Sequence, residues 1–114
     1  MHGRDSLQAL AYALNDADVS EVRFRSNVAV EGLDAWQEQE WIGKTLRIGD
    51  VPFRAHAPVV RCLATHANPV TGVRDHQVMT TLTHAFSQDK PTFAVCLVPE
   101  APGVIWLGDQ LTVD

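Results

Sequence analysis

Two runs of this chain, "TLRIGDVPF" (45–53) and "VIWLGDQLTV" (104–113), share one device: apolar residues, then Gly-Asp, then apolar residues again. A glycine set inside a strand pattern marks a bulge or a sharp bend, as at the corners of small barrels. Two such corners steer the chain toward a mainly β fold. "KTLRIGDVPFRAHA" accordingly reads as strand, corner, strand, "TFAVCLV" (92–98) as a strongly β-prone strand, and "PEAPG" as the turn before a last hairpin.

Helices are the minority. Asp5 and Ser6 open one, with Gln8 three residues after Asp5 in a box-like arrangement. Leu7, Leu10, Ala11 and Leu14 then form one apolar stripe, and "NDADVS" ends it. A second short helix falls in "DHQVMTTLTHAFSQ", where Val78, Leu82, Ala85 and Phe86 keep helical spacing. Between residues 21 and 32 the period changes to two. Val22, Phe24, Val28 and Val30 share one strand face, Arg23, Arg25 and Asn27 the other, and Gly32 closes the run. Residues 59–66 read as a further strand, followed by the "NPVTG" loop. The count is five to seven short strands and two short helices without βαβ alternation. A mainly β domain over residues 1–114, a small antiparallel barrel or a sandwich, is expected.

The formal charge of −5 argues against a nucleic-acid partner, since phosphate backbones call for a clustered positive surface. No opening signal segment and no apolar run of about 20 residues is present, so a cytoplasmic protein without a membrane partner is expected. In that compartment Cys62 and Cys96 remain thiols.

Of the nine basic side chains seven are arginine, whose planar fork suits phosphates and heteroaromatic rings. Arg23, Arg25 and Asn27 on one strand face would grip an anion through charge-assisted bonds. The alternative is a solvated face, paired structurally with Glu31, Glu38 or Glu40. Cys62 leaves several readings open. With His66 four residues on, it is half a zinc site, and neither His56 nor the His76/His84 pair supplies the rest. Beside Arg61 and a histidine base it is a nucleophile; in an apolar run it is a core residue. Cys96, inside "FAVCLV", reads first as core. No glycine-rich phosphate loop, serine elbow or carboxylate pair occurs.

Four spaced stretches, "VRFRSNVAVEG", "AWQEQEWIGKTLRIGD", "RCLATHANPVTG" and "GVIWLGDQLTV", occur in the order found in MOSC domains, the molybdenum cofactor sulfurase C-terminal domains. The resemblance runs from about residue 6 to the end. It implies a β-barrel that handles molybdenum cofactor (molybdopterin) or sulfur destined for it. In relatives that reduce N-hydroxylated compounds the cysteine of the Arg-Cys pair ligates molybdenum; here that is Cys62. Arg25 and Asn27, with Arg61, would hold the cofactor, which agrees with soft thiolate for molybdenum and guanidinium for phosphate. Arg61 and Cys62 would face opposite ways on a regular strand, so a bulge, or use of the backbone of residue 61, is expected there.

The chain departs from the family pattern at Ser26 (usually proline), Asn68 (usually aspartate) and Ala94 (often glycine). The stretch "APVVRC" also lacks the upstream cysteine of some relatives. It begins just before the family's first helix, so a reduced barrel is expected, or one completed by a second copy or a partner chain. Two functions follow. In one, Cys62 ligates molybdenum or carries a persulfide, with molybdopterin or a sulfur donor or acceptor protein as partner. In the other, the barrel is a non-catalytic module that binds a protein or another anion.

Overall fold

The computed structural model describes residues 1–114. Six strands run in chain order: β1 (His2–Gly3), β2 (Ala29–Val30), β3 (Thr45–Ile48), β4 (Val51–Val60), β5 (Thr92–Pro99) and β6 (Leu111–Val113). The helices are α1 (Arg4–Ala13) and α2 (Val78–Ala85). Strands β5-β4-β3-β6 form one antiparallel sheet, and β1 and β2 pair in parallel apart from it. Met1 links the two: its amine donates to the Val95 carbonyl (2.9 Å) and its carbonyl accepts from Val95 N–H (2.8 Å). No strand pairing joins β2 to the chain preceding β6. Between them lies a cleft of about 300 Å³, walled by Val28–Val30, Ile48 and 105–109.

The two Gly-Asp corners meet. Gly49 (φ +58°) opens the two-residue turn between β3 and β4, and its N–H donates to the Gln110 carbonyl (2.9 Å). A Cβ at Gly49 would fall 2.7 Å from Asp109 Oδ2, the oxygen that accepts Trp106 N–H (2.8 Å). Each corner thus needs the other. The second lacks the hairpin arm expected before it: residues 102–106 are irregular, and Trp106 and Leu107 stand in solvent. The aspartate closes its own tight turn instead of continuing a strand.

The core has two parts. Inside the sheet, Met1, Trp41, Leu46, Ile48, Ala55 and Val95 pack together. On the helical side, Leu10 of α1 and Val78 and Leu82 of α2 pack around Phe93, which stacks on Phe24 at 4.0 Å between ring centroids. Both expected apolar stripes are the buried faces, except that Ala85 is exposed. Asp5 does not cap α1; its carboxylate accepts Leu33 N–H (3.1 Å). The fully buried Glu38 takes that role, accepting from Gly3 N–H (3.3 Å) and Ser6 Oγ (2.6 Å) at the positive end of the helix. Glu38 therefore pairs with none of the arginines. A Cβ at Gly3 would lie 2.9 Å from its Oε2.

Two expected strands are shorter than read. Residues 21–24 form a single 3-10 turn, capped by Ser20 Oγ on Val22 N–H (3.2 Å), and only Ala29–Val30 is strand. The turn lets the adjacent Arg23 and Phe24 both point inward, which a strand forbids, while Val22 points out. The shared face of Arg23, Arg25 and Asn27 therefore does not exist. Likewise β4 ends at Val60, and Leu63–His66 is another 3-10 turn, so Cys62 and His66 are not strand neighbours. His76 precedes α2 and binds Asp16 Oδ2 (2.8 Å), so it shares no helical face with His84. No helix is long and apolar enough to cross a membrane.

Candidate functional site

Arg61, the first residue past β4, organises the site. Its side chain turns back under β5: Nε donates to the Phe93 carbonyl (2.8 Å) and Nη1 to the Phe24 carbonyl (2.9 Å). The guanidinium carbon lies 5.5 Å from the Phe24 ring centroid and 6.0 Å from that of Phe93. Nη2 makes no protein hydrogen bond. Burial lowers the Arg61 pKa, and the neighbouring Cys62 sulfur opposes that shift. A partly desolvated cation with one free donor edge is thus fixed in place.

Arg61 lines a cleft of about 360 Å³ together with Arg25, Ser26, Asn27 and Cys96, in a wall that is otherwise apolar, with Phe24, Val28, Phe53, Val59 and Leu97 among its residues. Arg25 sits at φ +54°, one residue past the 3-10 turn, exposed and without a protein partner for its fork. This left-handed residue ends the turn and sends the chain along the cleft rim. Ser26 Oγ is buried and unbonded. Met1 also lines the wall; its ammonium, bonded to the Val95 carbonyl, has its pKa lowered by burial and, secondarily, by the Arg61 charge. Two arginines and an asparagine thus stand in the wall of a mainly apolar cleft, residue types that can hold an oxyanion.

Arg23 lies elsewhere. Its side chain is buried, and Nη1 donates to Asp75 Oδ1 (2.9 Å), the His66 carbonyl (3.0 Å) and the Thr65 carbonyl (3.3 Å). The hydrogen bond from Arg23 holds the Asp75 carboxyl at about 2 instead of the usual 3.8, and Asn68 Nδ2 (3.1 Å) adds to it. Arg23 is a clamp on the loop that follows Cys62. Within that loop Asn68 Oδ1 accepts Val70 N–H (2.9 Å) and Thr71 N–H (3.3 Å), the capping an aspartate would supply.

Cys62 stands at the head of the Leu63–His66 turn with its thiol exposed and free. Its carbonyl accepts from Thr65 Oγ1 (2.8 Å) and Thr65 N–H (3.1 Å), fixing the turn. Arg61 points in and Cys62 points out, where the strand has ended, and the expected bulge at this pair is not found. The register shifts lie upstream, between Ala55 and Ala57 and between Pro58 and Val60. Cys62 is not part of the cleft wall. His66 is no partner for it: His66 Nε2 accepts Met79 N–H (3.2 Å), and burial lowers its pKa, with Arg74 and Arg23 adding to the shift. No three His, Cys, Asp or Glu side chains converge to hold a metal ion.

The structure thus brings together Arg25, Asn27 and Arg61, keeps Cys62 beside Arg61 on the far side, and sets Arg23 apart. Sequence reasoning missed Cys96 as a cleft residue. No simple signal marked it, because alternation is broken upstream: Phe93, Ala94 and Val95 are buried in succession and Cys96 is exposed.

A profile of the MOSC domain matches residues 1–112. The chain belongs to the MOSC domain family. Human mitochondrial amidoxime-reducing component 1 is 30% identical over 103 residues, covering 82% of this chain and 30% of the relative. Rat mitochondrial amidoxime reducing component 2 is 30% identical over 98 residues, covering 77% of the chain and 28% of the relative. The molybdenum cofactor sulfurase of Caenorhabditis briggsae is 32% identical over 82 residues, covering 70% of the chain and 11% of the relative. This MOSC domain therefore spans less than a third of the length of these curated relatives.

Position 94 has a backbone conformation that suits glycine. Ala94 has φ +77° inside β5, at the irregularity where Pro58 faces Val95 and Val60 faces Thr92. A left-handed residue with a Cβ is strained by about 1 kcal/mol, and its buried methyl packs in the helical core.

Proposed function

We propose that this MOSC domain binds the molybdenum cofactor, or handles sulfur for it, with Cys62 as thiolate ligand or persulfide carrier. The observation that supports this most is Arg61. Arg61 lines the cleft with Arg25 and Asn27, and its chain neighbour Cys62 carries a free, exposed thiol, so the candidate anion site and the candidate soft ligand adjoin one another along the chain. The free Nη2 of Arg61 and the unpaired fork of Arg25 fit the phosphate of the pterin, and the exposed Cys62 sulfur fits a soft metal. Arg23 takes part by positioning, since its three bonds hold the Thr65–Asp75 segment and with it the Cys62 turn. When bound, the cofactor supplies two-electron redox chemistry at the metal; reduction of N-hydroxylated compounds or cofactor sulfuration is the class of reaction. The β1–β2 pair and the main sheet, bridged by Met1, are read as arcs of one barrel. A second copy or a partner chain at the gap beside β2 would close it. A reducing cytoplasm suits two free thiols.

Expression in a cofactor-producing host tests this by metal and pterin analysis. Molybdenum near one per chain is expected, lost in Cys62→Ser, with pterin content reduced in Arg25→Gln. Protein with neither molybdenum nor pterin, and with no persulfide on Cys62 after exposure to a sulfur donor, overturns it. The second reading, a non-catalytic anion- or protein-binding module, draws on the position of Cys62 outside the cleft wall. It predicts anion binding indifferent to Cys62→Ser.

A further inference from the structure

We propose that Cys96 is the thiol of the arginine cleft, a modification site at which small anionic disulfides exchange in preference to neutral ones. The proposal rests on the reading of this cleft as an anion site. Cys96 lies on β5 opposite Ala57, exposed where Phe93, Ala94 and Val95 before it are buried. The cleft wall includes it together with Arg25, Ser26, Asn27 and Arg61. Two arginines in the wall of one concave surface raise the local concentration of anions, and a negatively charged reagent drawn there meets the thiol of the same wall. The exchange is balanced. Cys96 gives its proton to solvent, its thiolate attacks one disulfide sulfur, a new S–S bond forms, and the other half leaves as a thiolate. The half that stays is tethered in the wall that Cys96 shares with Arg25 and Arg61. A mixed disulfide at Cys96 therefore closes the cleft to other anions, which makes the thiol a redox-controlled stopper for the site.

The test uses the full chain carrying Cys62→Ser, whose one remaining thiol is Cys96. Its rate with Ellman's reagent, a dianionic disulfide, is divided by its rate with neutral dithiodipyridine, first folded and then unfolded in urea. The expected ratio is at least about threefold higher in the folded chain. It falls to the unfolded value in Arg25→Gln and drops when inorganic phosphate is added. Mass spectrometry of the Cys96 peptide in the unsubstituted chain gives the same comparison if Cys62→Ser folds poorly. Equal ratios folded and unfolded, or no response to Arg25→Gln, overturn the proposal. A selective Cys96 in a protein without molybdenum, pterin or persulfide overturns only the cofactor reading. Unselective Cys96 in a molybdenum-bearing protein overturns only this one.

Discussion

Arg23 and Arg25 are two residues apart and face opposite fates. Arg23 is buried with three acceptors gathered on one nitrogen, and the loop from Thr65 to Asp75 is built around it. Arg25 is exposed, bonded to nothing, and left at the rim of a cleft that Arg61 completes. The 3-10 turn at 21–24 separates them, ending in the left-handed Arg25. The difference teaches that a charged residue's job follows from what its backbone aims it at. One arginine holds the site's supporting loop, and the other stays free to hold a ligand.

That contrast can be broken at its strong end first. Arg23→Leu is expected to lower stability by about 3 kcal/mol, because two loop carbonyls and Asp75 lose their donor inside the protein. Urea unfolding measures it, and hydrogen exchange should show the loss concentrated in residues 62–76. A loss below about 1 kcal/mol would mean the clamp is dispensable.

Acid probes the same clamp. The folded Asp75 pKa lies below its usual 3.8, so its stabilising contribution is complete above that value and drains away as the pH falls toward about 2. Acid unfolding of Asp75→Asn should lack the decline in that window. Identical profiles would show that the pair does not contribute.

The next effect is smaller and of opposite sign. Ala94→Gly is expected to stabilise the chain by about 1 kcal/mol, since the φ of +77° is free for glycine and strained for alanine. A destabilised variant would show that the buried methyl outweighs the strain.

The smallest effect on stability belongs to the free arginine. Arg25→Gln should change stability by less than about 0.5 kcal/mol while weakening anion binding in the cleft. Phosphate titration followed by calorimetry reads the second quantity. Equal losses from Arg23→Leu and Arg25→Gln would erase the distinction between clamp and cleft.

Much of this was legible beforehand. The helical stripes of α1 and α2, the Gly-Asp turn between β3 and β4, and the strand at 92–98 follow from periodicity and turn chemistry, which are local. The strand over 21–30 was not, because its alternation was overruled by distant partners: carbonyls at Thr65 and His66 for Arg23, and the Phe93 ring for Phe24. Glu38, one of the acids offered as a partner for the arginines, instead caps α1 across 35 positions from Gly3.

The sequence alone determined the mainly β class, the two short helices, and the family through four ordered motifs. Those are properties of spacing and order along the chain. Which polar side chains meet was decided by tertiary structure. Arg25, Asn27, Arg61 and Cys96 share a cleft, and Cys62 stands outside it, because turns at 21–24 and 63–66 redirect the chain. A turn of one residue more or less changes the face every later side chain presents, and the choice between them rests on carbonyls, rings and carboxylates dozens of residues away.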